Sequence, residues 1–161
     1  MGVRVKIRLD LQKRIRMLQR SILRGSCDVL KFEIIDNILS GISPVKGQKR
    51  FAKYTPRYKS AIRKGKVRSR GERVRGKSIS PVNLKATGTL LNSLTCKVQG
   101  DRIKIAFTDF VAEFHNVTGP AGRKDKIRRM LPTKKGEEFN ISIQITLSKM
   151  LDRLVKRTTK R

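Results

Sequence analysis

Eight residues match the phosphate-binding expression G-x-x-x-x-G-K-S: Gly71-Glu72-Arg73-Val74-Arg75-Gly76-Lys77-Ser78. In a working P-loop, backbone N–H groups wrap phosphates where a buried strand passes into a helix. Neither neighbour suits that task. Upstream lies Lys64-Gly65-Lys66-Val67-Arg68, which is no apolar strand, and Pro81 follows Ser78 within three residues. Ile103 to Asp109 offers a magnesium-partner strand, yet its alternation fits a half-exposed antiparallel strand better. The match is read as chance in a Gly/Lys/Arg-rich tract. Other catalytic material is sparse. His115 is the sole histidine, and no motif brings Ser93 or Asp109 to it; a packed or hydrogen-bonded structural role is expected. Glu137 and Glu138 are adjacent, so their carboxylates diverge on a helix. They suit a helix N-terminus after Thr133 better than an acid–base pair. Cys27 and Cys96 make neither a zinc cluster nor a disulfide framework and are expected as ordinary thiols in a reducing cytoplasm. The expectation is no enzyme, no cofactor and no metal.

Charge is the stronger signal. The 161 residues hold 40 Lys/Arg against 12 Asp/Glu, a formal charge of +28. Self-repulsion of that size favours a polyanion or an acidic protein as partner. No apolar run is long enough to span a bilayer, and the N-terminus lacks the continuous apolar stretch of a secretion signal. Tryptophan is absent and aromatics are scarce, which argues against a stacking platform.

The cations concentrate between two copies of one tetrapeptide, Ile42-Ser43-Pro44-Val45 and Ile79-Ser80-Pro81-Val82. From Lys46 to Lys77 there are 14 Lys/Arg and one acid, Glu72. Each Ser-Pro pair punctuates the backbone, because proline lacks an N–H and biases its predecessor toward extended conformations. We therefore expect one domain, 1–161, with residues 42–82 as an extended basic arm inserted between N-terminal helices and a hairpin. The partner-binding candidates on it are Lys49, Arg50, Lys53, Tyr54, Arg57, Tyr58, Arg63, Lys64, Arg68, Arg70, Arg73 and Arg75. Nucleic acid and an acidic protein surface would both suit such an arm. A solvated tract with no partner ranks third at this density of charge.

The elements that must carry the arm follow from periodicity. Val3, Val5, Ile7 and Leu9 alternate with basic residues, which predicts a strand, then Asp10 as cap of a helix to about Arg24. The rival is one helical stripe through Val3, Ile7, Leu11, Ile15, Leu18 and Ile22. Gly25 should end the first helix and Ser26 cap a second, with Cys27, Leu30, Ile34, Ile35 and Ile38 facing a core and Gly41 closing it. Within the arm, Thr55-Pro56 reads as cap and first residue of a short helix ending at Gly65. From Lys66 to Lys77 nothing apolar repeats, so a mobile strand or loop is expected. Leu94, Cys96, Val98 and then Ile103, Ile105, Phe107 alternate about Gly100-Asp101, a hairpin signal. Phe110 to His115 suits a short helix or turn. Phe139, Ile143, Leu147, Met150, Leu151 and Leu154 mark a long C-terminal helix, although Ile141 and Ile145 also permit strand alternation in its first turns. The fold class is α+β: a small antiparallel sheet, flanking helices and a long basic loop.

Several short segments, taken in order, resemble a known family. They are Gly41-Ile42-Ser43-Pro44-Val45-Lys46-Gly47, Phe51-Ala52-Lys53-Tyr54 with Tyr58, Pro81-Val82-Asn83-Leu84, Thr87-Gly88-Thr89-Leu90-Leu91-Asn92-Ser93-Leu94, Ala112-Glu113-Phe114-His115-Asn116 with Gly119, and Arg128-Arg129-Met130-Leu131-Pro132-Thr133 with Gly136-Glu137. The order resembles tailed-bacteriophage neck and tail-completion proteins, the virion-morphogenesis or minor tail-component class, over about residues 41–157. The resemblance implies a small α+β structural subunit, not an enzyme, that forms homo-oligomeric rings, commonly hexameric. Its implied partners are phage connector or adaptor, tail-terminator and tail-tube proteins. Its implied location is the virion neck or top of the tail, after synthesis in a bacterial host cytoplasm. The arm is then free to reach DNA, the adaptor ring or the tail. On the matched residues, Thr87-Gly88 can turn the chain into the hairpin, and His115-Asn116 can fix the following loop by side-chain hydrogen bonds. Arg128 and Arg129, on a stiff connection before Pro132, suit a subunit contact. The alternative is a ribosomal or other nucleic-acid-binding protein, which would bind nucleic acid as a monomer.

Overall fold

In the computed structural model, α1 runs unbroken from Gly2 to Leu39. The residues described are 2–69, 71–74, 77–84, 88–119, 127–133 and 135–159, with side chains omitted for 2–14, 72, 118, 158 and 159. The continuous helix corrects the expected strand, break and second helix. The alternating N-terminus also satisfies a stripe at helical spacing, and among the described residues neither two-stranded sheet includes it. Gly25 stays helical, and the Ser26 hydroxyl donates back to the Ile22 carbonyl (2.9 Å) instead of capping. The stripe carries on into Leu30, Ile34 and Ile38, which are buried.

Gly41 stops α1 as expected. It adopts φ +74°, its N–H bonds the Ile38 carbonyl (3.1 Å), and the Ile42 N–H reaches the Asn37 carbonyl (2.9 Å). These two bonds are the 5→2 and 6→1 pair of a Schellman motif. The chain then crosses the end of the molecule. Pro44 is fully buried and its carbonyl accepts from the Asn140 N–H (2.7 Å), while Ser43 Oγ donates to the Arg129 carbonyl (2.7 Å).

The arm holds more structure than its sequence pattern suggests. Helix α2 spans Pro56–Arg63 with Thr55 as cap, its hydroxyl accepting from the Tyr58 N–H (3.3 Å), as expected. Strands β1 (Arg68–Ser69) and β2 (Glu72–Arg73) then pair antiparallel, with Gly71 at φ +83°. Val67 and Val74, the residues flanking this ladder, are joined by a 2.9 Å backbone bond and both buried. The stretch expected as a mobile strand or loop therefore holds a short hairpin fastened by two valines. Phe51 and Tyr54 are also buried, so the stretch between the two tetrapeptides contributes to the core.

Gly88, at φ +91°, precedes the one-turn helix α3 (Thr89–Asn92), not the hairpin itself. The hairpin follows as expected: β3 (Leu94–Gln99) pairs with β4 (Arg102–Phe107) from Leu94↔Phe107 to Gln99↔Arg102, turning at Gly100 with φ +62°. Beyond it come α4 (Val111–Glu113) and a π-helical turn over Phe114–Thr118. The C-terminal α5 spans Ile141–Thr159. Its cap is Asn140, whose Oδ1 accepts from the Ile143 N–H (3.1 Å) and whose Nδ2 donates to Asn37 Oδ1 (2.9 Å) and the Ser43 carbonyl (3.1 Å). One asparagine thus ties α5, α1 and the crossing segment together. The Glu137-Glu138 pair does not cap a helix after Thr133. Glu137 accepts from the Thr133 N–H (2.8 Å), and Glu138 pairs with Lys46 (2.6 Å) at the surface.

The fold is α+β. One core runs from Leu30 on α1 to Ile143 on α5, with Ile34, Ile38, Leu94, Met130 and Ile143 wholly shielded from water. Cys27 and Cys96 are joined as a disulfide that ties α1 to β3, which corrects the expectation of two separate thiols. Their juxtaposition is tertiary, across 69 residues of sequence, and spacing gives no hint of it. Among the described residues, no helix is long and apolar enough to cross a membrane.

Candidate functional site

The chemistry-bearing side chains gather around one ring, that of Tyr54. Its segment turns inward where Phe51 and Tyr54 enter the core, and the Tyr54 hydroxyl donates to the Asn83 carbonyl (2.6 Å). Tyr58, one turn on and at the exposed edge, sets its ring 5.0 Å from that of Tyr54. Two cations lie against the Tyr54 ring. Arg128 Cζ is 5.4 Å from its centroid and Lys77 Nζ is 5.6 Å away, both within cation–π reach. Arg128 arrives from the connection after the π-helical turn, where its N–H bonds the His115 carbonyl (2.7 Å). Two cations and two phenols therefore share a single niche, and the His115 backbone is fastened to it through Arg128.

Burial and like charge govern the electrostatics. Desolvation pushes the Tyr54 phenol up to about 12, against an opposing pull from Arg128. Burial likewise raises Tyr58 and lowers Lys77, with Arg128 lowering Lys77 further. Arg128 itself is shifted down by burial, and the groups that favour its charge are the phenols of Tyr54 and Tyr58. His115 is held down to about 4, first by burial and then by Arg128 and Lys77. Its Nδ1 and the Arg128 Nε are buried with no hydrogen-bond partner, as is Asn83 Oδ1.

His115 gives a signed pH prediction. The unfolded chain takes up a proton near the ordinary histidine value of 6.5, whereas the folded chain resists until about pH 4. Stability is therefore lost as pH falls through this window and levels off, for this group, below it. At about 1.4 kcal/mol per pH unit the cost reaches at most about 3 kcal/mol. Urea unfolding of wild type and His115→Gln across the window should show the extra slope in wild type alone. Equal slopes would refute the shift.

The expected site residues divide. Lys49, Arg50, Lys53, Arg57, Arg63, Lys64, Arg68 and Arg73 are exposed, as a docking arm requires. Arg70 and Arg75 lie outside the described residues. Tyr54 is buried, which corrects its place among the partner-facing residues. Its spacing with Phe51 and Ile62 reflects packing. Arg128 is only 6% exposed, so its expected role as a surface subunit contact is also corrected. Arg129 is half-buried and engages Thr133 (2.9 Å) and Glu137 (3.7 Å) within the chain.

The P-loop lookalike does not fold as one. Gly71 sits in the β1–β2 turn, Lys77 points to Tyr54, and among the described residues between Gly71 and Thr89 no helix begins. Sequence reasoning did not single out Lys77 or Asn83 for this niche. It did anticipate Asn116, whose amide grips the Met130 and Leu131 backbone and so sets Arg128 beside Tyr54.

No family model matches this sequence. Comparisons with curated proteins and with solved structures likewise found no match.

Proposed function

We propose that this chain is a structural subunit of a phage head–tail junction or tail-completion ring, docking through its basic arm. The observation that carries the reading is a pair of exposed apolar patches on separate elements. On α4 and the π-helical turn, Phe110 and Phe114 stack edge to face (6.1 Å) with Val117 beside them in sequence, all at least 48% exposed. On α5, Ile141 and Ile145 are 62% and 47% exposed. Exposed apolar surface of this kind marks protein contacts. Two different patches suit a heterologous interface, the type that closes into rings. Further support comes from α1, where residues 15–25 include no buried side chain, so this stretch of the helix is available to neighbours. Segments behind the family resemblance also touch one another in pairs, Gly41 lying against Pro81 and Val82, and Asn116 bonding Met130 and Leu131.

Imaging of virions, or light scattering of the protein with its neighbours in the particle, tests this. A ring of identical subunits is expected, and Phe114→Asp with Val117→Asp should abolish it while the monomer stays folded. One copy per particle, or absence from particles, would sink the proposal. The exposed cations of α2 and the β1–β2 hairpin decide the docking partner. Contact with DNA weakens steeply with salt, in proportion to the phosphates neutralised. Contact with a protein ring survives nuclease.

A further inference from the structure

A cleft of about 650 Å³ lies beside the disulfide, between α1 and the β3–β4 hairpin. That volume falls within the roughly 300–1,000 Å³ of small-molecule sites. Cys27 and Cys96 both line it. Arg20 and Arg24 join them from α1 and Lys97 from β3. Among the described lining residues, the carboxylate opposing these cations is that of Asp28. Arg20, Arg24 and Cys27 follow one another at helical steps of four and three, so they share a face. The disulfide also marks a boundary on α1. Residues 15–25 include no buried side chain, and Ser26 and Cys27 begin the buried stretch.

We propose that this cleft is a thiol-exchange site, where a small anionic thiol of the glutathione class opens the disulfide and is left bonded to Cys96. The incoming thiolate attacks Cys96 Sγ. A new S–S bond forms there, the Cys27–Cys96 bond breaks, and its electron pair leaves on Cys27 as a thiolate. A second thiolate then attacks the sulfur of the bound thiol. This releases the thiol's own disulfide and leaves Cys96 reduced, so two small thiols are oxidised for the two electrons gained. Cys96 is the sulfur attacked because it is half-buried, whereas Cys27 is only 6% exposed. Arg24, one turn before Cys27, favours the departing thiolate. The exposed cations Arg20 and Lys97 suit the carboxylates of the incoming molecule. Opening the bond unties α1 from β3 where its unburied stretch begins. The inference is independent of the ring reading.

The full oxidised chain is incubated separately with reduced glutathione, with neutral β-mercaptoethanol and with cationic cysteamine. Iodoacetamide stops each reaction, and peptide mass mapping locates the products. Glutathione is expected on Cys96 and the alkyl group on Cys27. Rates per thiolate should fall from the anionic to the neutral to the cationic thiol. Arg20→Gln with Arg24→Gln and Lys97→Gln should slow glutathione about tenfold or more relative to β-mercaptoethanol, the scale on which a local field raises encounter rates. Lys49→Gln with Lys53→Gln and Arg57→Gln removes the same charge from exposed positions on the arm and should leave that ratio unchanged. It separates the cleft from the overall charge of +28. Should the triple cleft variant fail to fold, Lys97→Gln alone carries the test from an exposed position. Free thiols in place of the disulfide in the purified chain would overturn the proposal. So would glutathione on Cys27 instead of Cys96, a rate ratio unmoved by the cleft variants, or one moved equally by the arm variant.

Discussion

Asn116→Ala should destabilise the chain by about 3–5 kcal/mol, a large share of the 5–15 typical of a domain. The side chain is buried and makes three bonds to one passing segment. Its Oδ1 accepts from the N–H groups of Met130 (2.6 Å) and Leu131 (3.0 Å), and its Nδ2 donates to the Leu131 carbonyl (3.1 Å). Alanine leaves two donors and one acceptor buried without partners, at roughly 1–3 kcal/mol each. The segment cannot simply swing out to water, because Met130 is wholly buried in the core. Asn116→Asp keeps the acceptor but loses the donor and sets an oxygen against the Leu131 carbonyl, so it should fall between. Urea denaturation with an unchanged m-value is the measurement. A loss below about 1 kcal/mol would mean that water replaces the amide and that the 127–133 connection is not held by it. The niche should also respond, since the same connection carries Arg128 to Tyr54. Tyrosine emission of Asn116→Ala should shift even where the chain remains folded.

That effect explains which parts of the molecule could be read in advance. Local rules served where a residue acts on its near neighbours in sequence. Thr55-Pro56 started α2, Gly41 ended α1, and Gly100 turned a hairpin whose flanks alternate at period two. Asn116 was legible because a polar amide after an apolar segment must find backbone to bond. The N-terminus failed for a specific reason. Val3, Ile7 and Leu11 fit both a strand and a helix, and without a partner strand the helical stripe wins. Val67 and Val74 share no short period; only the β1–β2 turn brings them together. Cys27 with Cys96, and Arg128 with Tyr54, are tertiary meetings across 69 and 74 residues, which no periodicity encodes. The niche was therefore half visible. Its members had been noted singly as arm, motif or contact residues, and their convergence waited on the fold.

The second large effect is at Gly41, which lies against the second tetrapeptide at Pro81 and Val82. A Cβ built there would lie 2.8 Å from Pro81 Cβ and 2.9 Å from the Val82 carbonyl oxygen. Neither neighbour is the loose end of a flexible side chain, so the segment at Pro81 and Val82 must move. Gly41 also holds φ +74°, which costs an L-residue about 1–2 kcal/mol by itself. Gly41→Ala should therefore cost about 3 kcal/mol or more, the strain adding to the displacement of Pro81 and Val82. Gly47→Ala separates the two terms. Gly47 has nearly the same dihedral, φ +78°, with nothing within 4 Å of the added carbon. It should lose only the conformational part, about 1–2 kcal/mol. Thermal and urea unfolding of the pair would measure the difference, and equal losses would show that Gly41 matters only as a helix stop. The steric part has a consequence for the arm. Gly41 closes α1 and Pro81-Val82 closes the basic insertion, so their contact pins the arm's entry to its exit. Loosening it should raise hydrogen exchange at Val67 and Val74, the two buried residues that hold the β1–β2 hairpin, before it affects the α1–α5 core at Ile34 and Ile143. Uniform loss of protection throughout the chain would instead place this contact in the same cooperative unit as the core.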